Sequence, residues 1–131
     1  MAVVRAVVVD HVLFVVRNLQ ASRRFYRAAL EPLGFRVISE EEDGMAFGVK
    51  DADDFAVYQG KPGEATTTAA HVAFVTEDQQ SVNAFFAAAM AAGGRENRPP
   101  GYRPEYHAGY YAAFVFDPDG NNVEAVHHGE R

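Results

Sequence analysis

The chain has 131 residues, of which 48% are hydrophobic, 12% aromatic and 23% charged. That composition is globular rather than disordered or fibrous, and the length suits a single domain with a real core. Twelve basic against eighteen acidic side chains give a net charge of −6, which disfavours a phosphate backbone as partner. The absence of cysteine excludes disulfides, thiolate metal sites and a cysteine nucleophile. No apolar run approaches the roughly 20 residues needed to span a bilayer, so no membrane partner is expected. Ala2–Val9 is apolar but interrupted by Arg5 and lacks a cleavage pattern; it reads as strand rather than signal peptide. A soluble, cytoplasmic protein acting on a small molecule is the resulting expectation.

In chain order, His11–Val16 is rich in Val and Phe and predicts a strand. A helix follows from about Leu19, with Asn18 as N-cap and Phe25, Ala29, Leu30 and Leu33 on its apolar face. Short strands are expected at Phe35–Ser39, Met45–Val49 and Phe55–Tyr58, with the acidic run Glu40–Asp43 as a solvated turn. His71–Val75 predicts the next strand. Thr76 and Gln79 have capping-box spacing ahead of a second helix, whose stripe is Val82, Phe85, Phe86, Ala89 and Met90. Gly34 and Gly93–Gly94 sit where helix ends favour a left-handed residue. A weak strand near Arg95 precedes Asn97–Gly109, a Pro-, Gly- and Tyr-rich stretch read as a long loop. Strands at Tyr110–Phe116 and Val123–Val126 flank Asp117-Pro118-Asp119-Gly120, a hairpin turn with Pro presetting φ and Gly closing it.

The chain repeats itself. A shift of 60 positions places His11 on His71, Val12 on Val72, Phe14 on Phe74, Phe25 on Phe85, Ala28–Ala29 on Ala88–Ala89 and Gly34 on Gly94, without a gap. The fold class that follows is α+β. Two βαβββ modules, residues 8–60 and 69–128, make one domain over 8–128, with a curved, cup-shaped mixed sheet and flanking helices.

Strand alternation sends Val123 and Ala125 to one face and Glu124 and Val126 to the other. If the sheet closes into a cup, His11, His71 and Glu124 can all point into it. Two imidazoles and a carboxylate on rigid strands form a facial site suited to Fe(II), and also to Mn, Zn, Co or Ni. Alternation points Asp10 away from that face, so it is not expected to support His11. Tyr106, His107, Tyr110 and Tyr111 cluster before a strand that enters the cup. His107, Tyr110 or Tyr58 is a candidate for moving a proton or orienting a substrate oxygen, set against the ordinary role of aromatics in anchoring a loop. Arg95, Arg98 and Arg103 make the same segment basic, which suits either an anionic substrate or solvated loop arginines. His127 and His128 are expected to face solvent. Phosphate-loop, nucleophile-elbow and dinucleotide patterns are absent.

Asp10-His11, Arg24-Phe25-Tyr26, His71-Val72-Ala73-Phe74 and Asp117-Pro118-Asp119-Gly120-Asn121 followed by Glu124 resemble the vicinal oxygen chelate superfamily. That superfamily includes glyoxalases, extradiol dioxygenases, fosfomycin-resistance transferases and bleomycin-resistance proteins. The resemblance covers roughly Asp10 to His127 and implies that His11, His71 and Glu124 are ligands of a divalent metal. It also implies a homodimer. Glyoxalase-like members take a fourth ligand from the closing strand of the first module. Aligning Phe55 with Val123 puts Ala56 opposite Glu124, and alanine cannot bind metal, which disfavours a four-ligand glyoxalase. Two functions stay open. One is a metal-dependent enzyme, lyase or dioxygenase, acting on a small oxygen-rich metabolite. The other is a metal-free sequestering protein of the bleomycin-resistance type, with Phe47, Tyr58, Tyr110 and Phe114 lining the cleft.

Overall fold

The computed structural model describes residues 8–129. The elements run β1 (Val12–Val16), α1 (Leu19–Leu30), a 3-10 turn (Glu31–Leu33), β2 (Arg36–Glu40), β3 (Gly44–Gly48) and β4 (Phe55–Gln59). They then repeat as β5 (His71–Val75), α2 (Gln79–Ala91), β6 (Arg95–Tyr102), β7 (Tyr111–Phe116) and β8 (Asn122–His127). Of the strand expected at Ala2–Val9, residues 2–7 lie outside the described residues, and Val8 and Val9 belong to no strand. Among the described residues no helix is long and apolar enough to cross a membrane.

Each module closes its own four-stranded mixed sheet, in the orders β1-β4-β3-β2 and β5-β8-β7-β6. The opening strand pairs parallel with the closing strand, Val12 on Phe55 and Val72 on Val123, in identical register. Period-two alternation then sorts the side chains. Phe14, Val16, Met45, Phe47, Phe55 and Val57 of the first sheet face the helices, as do Phe74, Val115, Val123 and Ala125 of the second.

These residues form one core shared by both modules. Phe55 stacks edge-on against Phe14 at 5.1 Å and Phe74 at 5.5 Å, and Phe74 meets Phe35 at 5.3 Å. Helix α1 contributes Phe25, Tyr26, Ala29 and Leu30, all fully buried, and α2 contributes Val82, Phe85 and Ala89. Asn18 caps α1 as expected, its side chain accepting from the Ala21 amide at 3.2 Å. The cap of α2 is Asp78, which accepts from the Ser81 amide at 2.7 Å, rather than Thr76. Thr76 is still committed to the sheet, its amide donating to the Val126 carbonyl at 2.8 Å.

The Asp117–Asn121 turn joins the modules. Tyr26, fully buried, donates its hydroxyl to Asp117 Oδ2 at 2.5 Å. The other carboxylate oxygen accepts the amides of Asp119 and Asn121 at 2.8 and 2.9 Å. Asn121 in turn holds the connecting segment, donating to the Thr67 carbonyl and accepting from the Ala70 amide at 2.9 and 3.0 Å.

The stretch read as a loop from Asn97 is strand as far as Tyr102. Pro99 and Pro100 are tolerated because β6 is an edge strand bonded only to β7. Its register shifts twice, between Glu96 and Arg98 and between Arg98 and Gly101.

Candidate functional site

Chemistry collects on the face of the second sheet turned away from the helices. There Phe114, Ala112 and Val126 pack together, and Glu124, directly across from Phe114 in the β7–β8 ladder, is buried to 2% exposure. A carboxylate so far from water must be satisfied by specific partners. His71, the first residue of β5, lies two positions along the adjacent strand on the same face, and its Nε2 is 2.8 Å from Glu124 Oε1. The second oxygen, Oε2, accepts from the Tyr110 hydroxyl.

Tyr110 stands just before β7, and the chain splits the neighbouring tyrosines between faces. Tyr111 donates to Asn83 Oδ1 on α2 at 2.7 Å, so it belongs to the helix side. The Tyr110 ring is enclosed by Tyr106 at 4.9 Å, His107 at 5.2 Å and His128 at 5.3 Å. Burial, followed by the hydrogen bond and the charge of Glu124, pushes its phenol far above the usual tyrosine range. Tyr110 therefore keeps its proton and donates it as a hydrogen bond to the carboxylate. His107 and His128 stack, with His107 Nε2 3.0 Å from His128 Nδ1 and His107 Nδ1 2.8 Å from the Ala108 carbonyl. His127 Nδ1 lies 3.1 Å from the Thr76 carbonyl. Both terminal histidines are thus engaged rather than simply solvated.

The other sequence candidates lie elsewhere. His11 precedes β1, its side chain 64% exposed and its Nδ1 2.7 Å from Asp10 Oδ1. This corrects the expectation for Asp10: strand alternation does not govern residues outside the strand, and the two adjacent side chains turn toward each other. The hydrogen bond to Asp10, with its charge, raises the His11 pKa above the usual histidine value. Among the described residues no three His, Asp or Glu side chains gather into a group able to hold a metal, so His11 stands apart from His71 and Glu124. Tyr58 is on the outer face of the first sheet, opposite Val15 and Gly44. Phe47, expected in the cleft, is 1% exposed in the shared core, because it is Ala46 that pairs with Ala56 on the outer face.

The pairing registers support the alignment of the two modules. Leu13 pairs with Ala56 as Ala73 pairs with Glu124, so Ala56 occupies the position in sheet one that Glu124 holds in sheet two. On the donor set alone, His71 and Glu124 fit a divalent metal. An imidazole nitrogen and a carboxylate oxygen are donor atoms such ions take, and here the two side chains already meet in a 2.8 Å hydrogen bond.

Sequence reasoning missed the burial of Arg103, 8% exposed. The only local signal is its place between Gly101-Tyr102 and Pro104, where an edge strand ends and folds back.

Comparison with known proteins agrees with this architecture. The family model for the Glyoxalase/Bleomycin resistance protein/Dioxygenase superfamily matches residues 8–125. A glyoxalase/bleomycin resistance protein from Albidiferax ferrireducens T118 is 30% identical, with a TM-score of 0.77 over 90% of this chain and 96% of that one. A glyoxalase-related enzyme from Fulvimarina pelagi, 21% identical, superimposes with a TM-score of 0.71 over 93% and 94% of the two chains. Fosfomycin resistance protein FosX from Mesorhizobium loti, also 21% identical, gives 0.62 over 89% and 88%. No curated protein matches the chain. The chain belongs to the glyoxalase/bleomycin resistance/dioxygenase superfamily, whose two-module α+β fold it has.

Proposed function

We propose that the protein is a metal-dependent enzyme acting on a small, oxygen-rich metabolite, with His71 and Glu124 as ligands from one chain and His11 from a second copy. The observation that carries this reading is the His71–Glu124 pair, 2.8 Å apart on the outer face of the second sheet. The exposed placement of His11 agrees with it, since a side chain 64% exposed just before β1 is available to another molecule. A homodimer related by a two-fold axis would complete two such sites at once. The outer strands carry the apolar surface such an assembly needs, Leu13 being 47% and Val75 66% exposed.

A divalent ion, Fe, Mn, Zn, Co or Ni, would supply Lewis acidity toward neighbouring substrate oxygens. Glu124 is held in orientation by Tyr110, and the apolar floor of Phe114 and Val126 keeps water from its carboxylate. Tyr110 gives its single hydroxyl hydrogen to Glu124, which leaves the phenol oxygen to accept a hydrogen bond from a substrate hydroxyl. Asp10 fixes the His11 ring through Nδ1, leaving Nε2 as the free ligand atom.

The test is metal content per chain, by elemental mass spectrometry, of tag-free protein purified without chelator. Near-stoichiometric metal is expected in the wild type, and none in His11→Ala or His71→Ala. Mixing those two variants and allowing subunits to exchange should restore about one ion per mixed dimer, because one of its two sites is intact. Loss without restoration would place the ligands in one chain and overturn the shared site.

Ala56 favours a second reading, a metal-free binding protein that sequesters a compound on the same face. In that case the wild type would take up no metal after anaerobic addition of iron, manganese, zinc or nickel.

A further inference from the structure

The face that carries Glu124 has a second polar centre around β6. Two arginines reach it. Arg98 donates to Glu105 Oε2 from both terminal nitrogens at 3.3 Å, a conventional exposed ion pair. Arg103 is 8% exposed and has no carboxylate within ion-pair distance among the described residues. Its Nη1 donates to the Tyr102 carbonyl at 3.3 Å, its Nη2 donates to the Pro99 carbonyl, and its Nε is buried without an acceptor. Glu105, whose charge reaches Arg103 at longer range, is already held by Arg98. A desolvated cation without a counterion is costly, and the guanidinium fork matches planar oxyanions.

The position of this cation gives it a use. The guanidinium carbons of Arg98 and Arg103 lie 5.7 and 5.8 Å from the centre of the Phe114 ring. Phe114 is directly across from Glu124, and its ring is 6.1 Å from that of His71. The floor therefore runs from the imidazole–carboxylate pair, across an aromatic ring, to the two guanidinium groups. Gly101 keeps room for Arg103, since a Cβ there would come within 3.0 Å of Nη1. The Arg103 amide donates to the Tyr110 carbonyl at 2.7 Å, which locks the arginine to the residue that binds Glu124.

We propose that Arg103, assisted by Arg98, forms an anion subsite that takes the carboxylate or phosphonate of a small ligand seated beside the buried Phe114. The subsite extends the proposed function to an anionic substrate class, but it does not require the metal. Binding is therefore measured on chelator-treated protein, where a missing metal cannot mimic a missing subsite.

The probes are benzoate, phenylphosphonate and the neutral benzamide, titrated into ¹⁵N-labelled protein and followed by amide chemical shifts. Both anions should bind at least tenfold more tightly than benzamide, with the shifts centred on Gly101, Arg103 and Phe114. Arg103→Gln should weaken the anions at least tenfold and leave benzamide unchanged. Arg103→Lys should recover part of the loss, and Arg98→Gln should cost a few-fold. If Arg103 only ties the carbonyls of β6, anions and benzamide will bind alike; that result, or shifts centred away from Phe114, overturns the proposal. Should Arg103→Gln fail to fold, the wild-type anion-to-neutral ratio and its decline with salt decide the matter alone.

Discussion

The two modules share a register and part company in chemistry. Where sheet two has Glu124 buried between His71, Tyr110 and Phe114, the matching face of sheet one has Ala56 beside Ala46 and Tyr58. Their inner faces, by contrast, remain equivalent: Phe25 and Phe85 are both fully buried in one core. Packing is thus conserved in both copies because each helix must bury the same stripe. The outer face is free to diverge, since removing a carboxylate there costs the core nothing.

The equivalence of the inner faces is the easiest to break. Phe25→Ala and Phe85→Ala should each cost about 3–5 kcal/mol, read from urea unfolding, and by similar amounts. A marked inequality would mean that one module stabilises the other. The asymmetry of the outer faces makes the next prediction. Glu124→Gln should lower metal affinity roughly 100-fold or more, while His128→Gln changes it little. Equal small effects from both would count against the proposed site.

The aligned glycines separate two reasons for having no side chain. A Cβ at Gly94 would come within 2.5 Å of Val115 Cγ1 and 2.8 Å of Phe25 Cε1, whereas Gly34 meets nothing but sits at φ +90°. Gly94→Ala should cost about 3 kcal/mol through overpacking, and Gly34→Ala about 1 kcal/mol through backbone strain. Calorimetric melting of the two variants would rank them.

The clasp between modules makes the mildest prediction with a pH signature. Tyr26→Phe should destabilise by about 2 kcal/mol, since Asp117 loses a donor but keeps Asn121. Burial, then the charge and hydrogen bond of Asp117, raises the Tyr26 phenol well above its ordinary value. A group with a raised folded pKa stabilises fully below its unfolded pKa, about 10, and loses that contribution as pH climbs beyond it. The gap in urea midpoint between wild type and Tyr26→Phe should accordingly be constant up to about pH 9 and narrow above 10.

The α+β class, the duplication and the split of Val123 and Ala125 from Glu124 were legible in the sequence. Each depends on local periodicity or on a self-match that any packing must respect. So were Asn18 as cap and Asp117–Gly120 as turn, because those side chains bond within a few residues of themselves. Only the tertiary structure decided the rest. The prolines of β6 hide a strand whose existence depends on β7, and Phe47 changed faces because its pairing with Phe55 set its parity. Asp10 found His11 only because the chain there had not yet entered the sheet. The pairing of His71 with Glu124 and the burial of Arg103 arise from strands distant in sequence, and local pattern carries no information about which of them become neighbours.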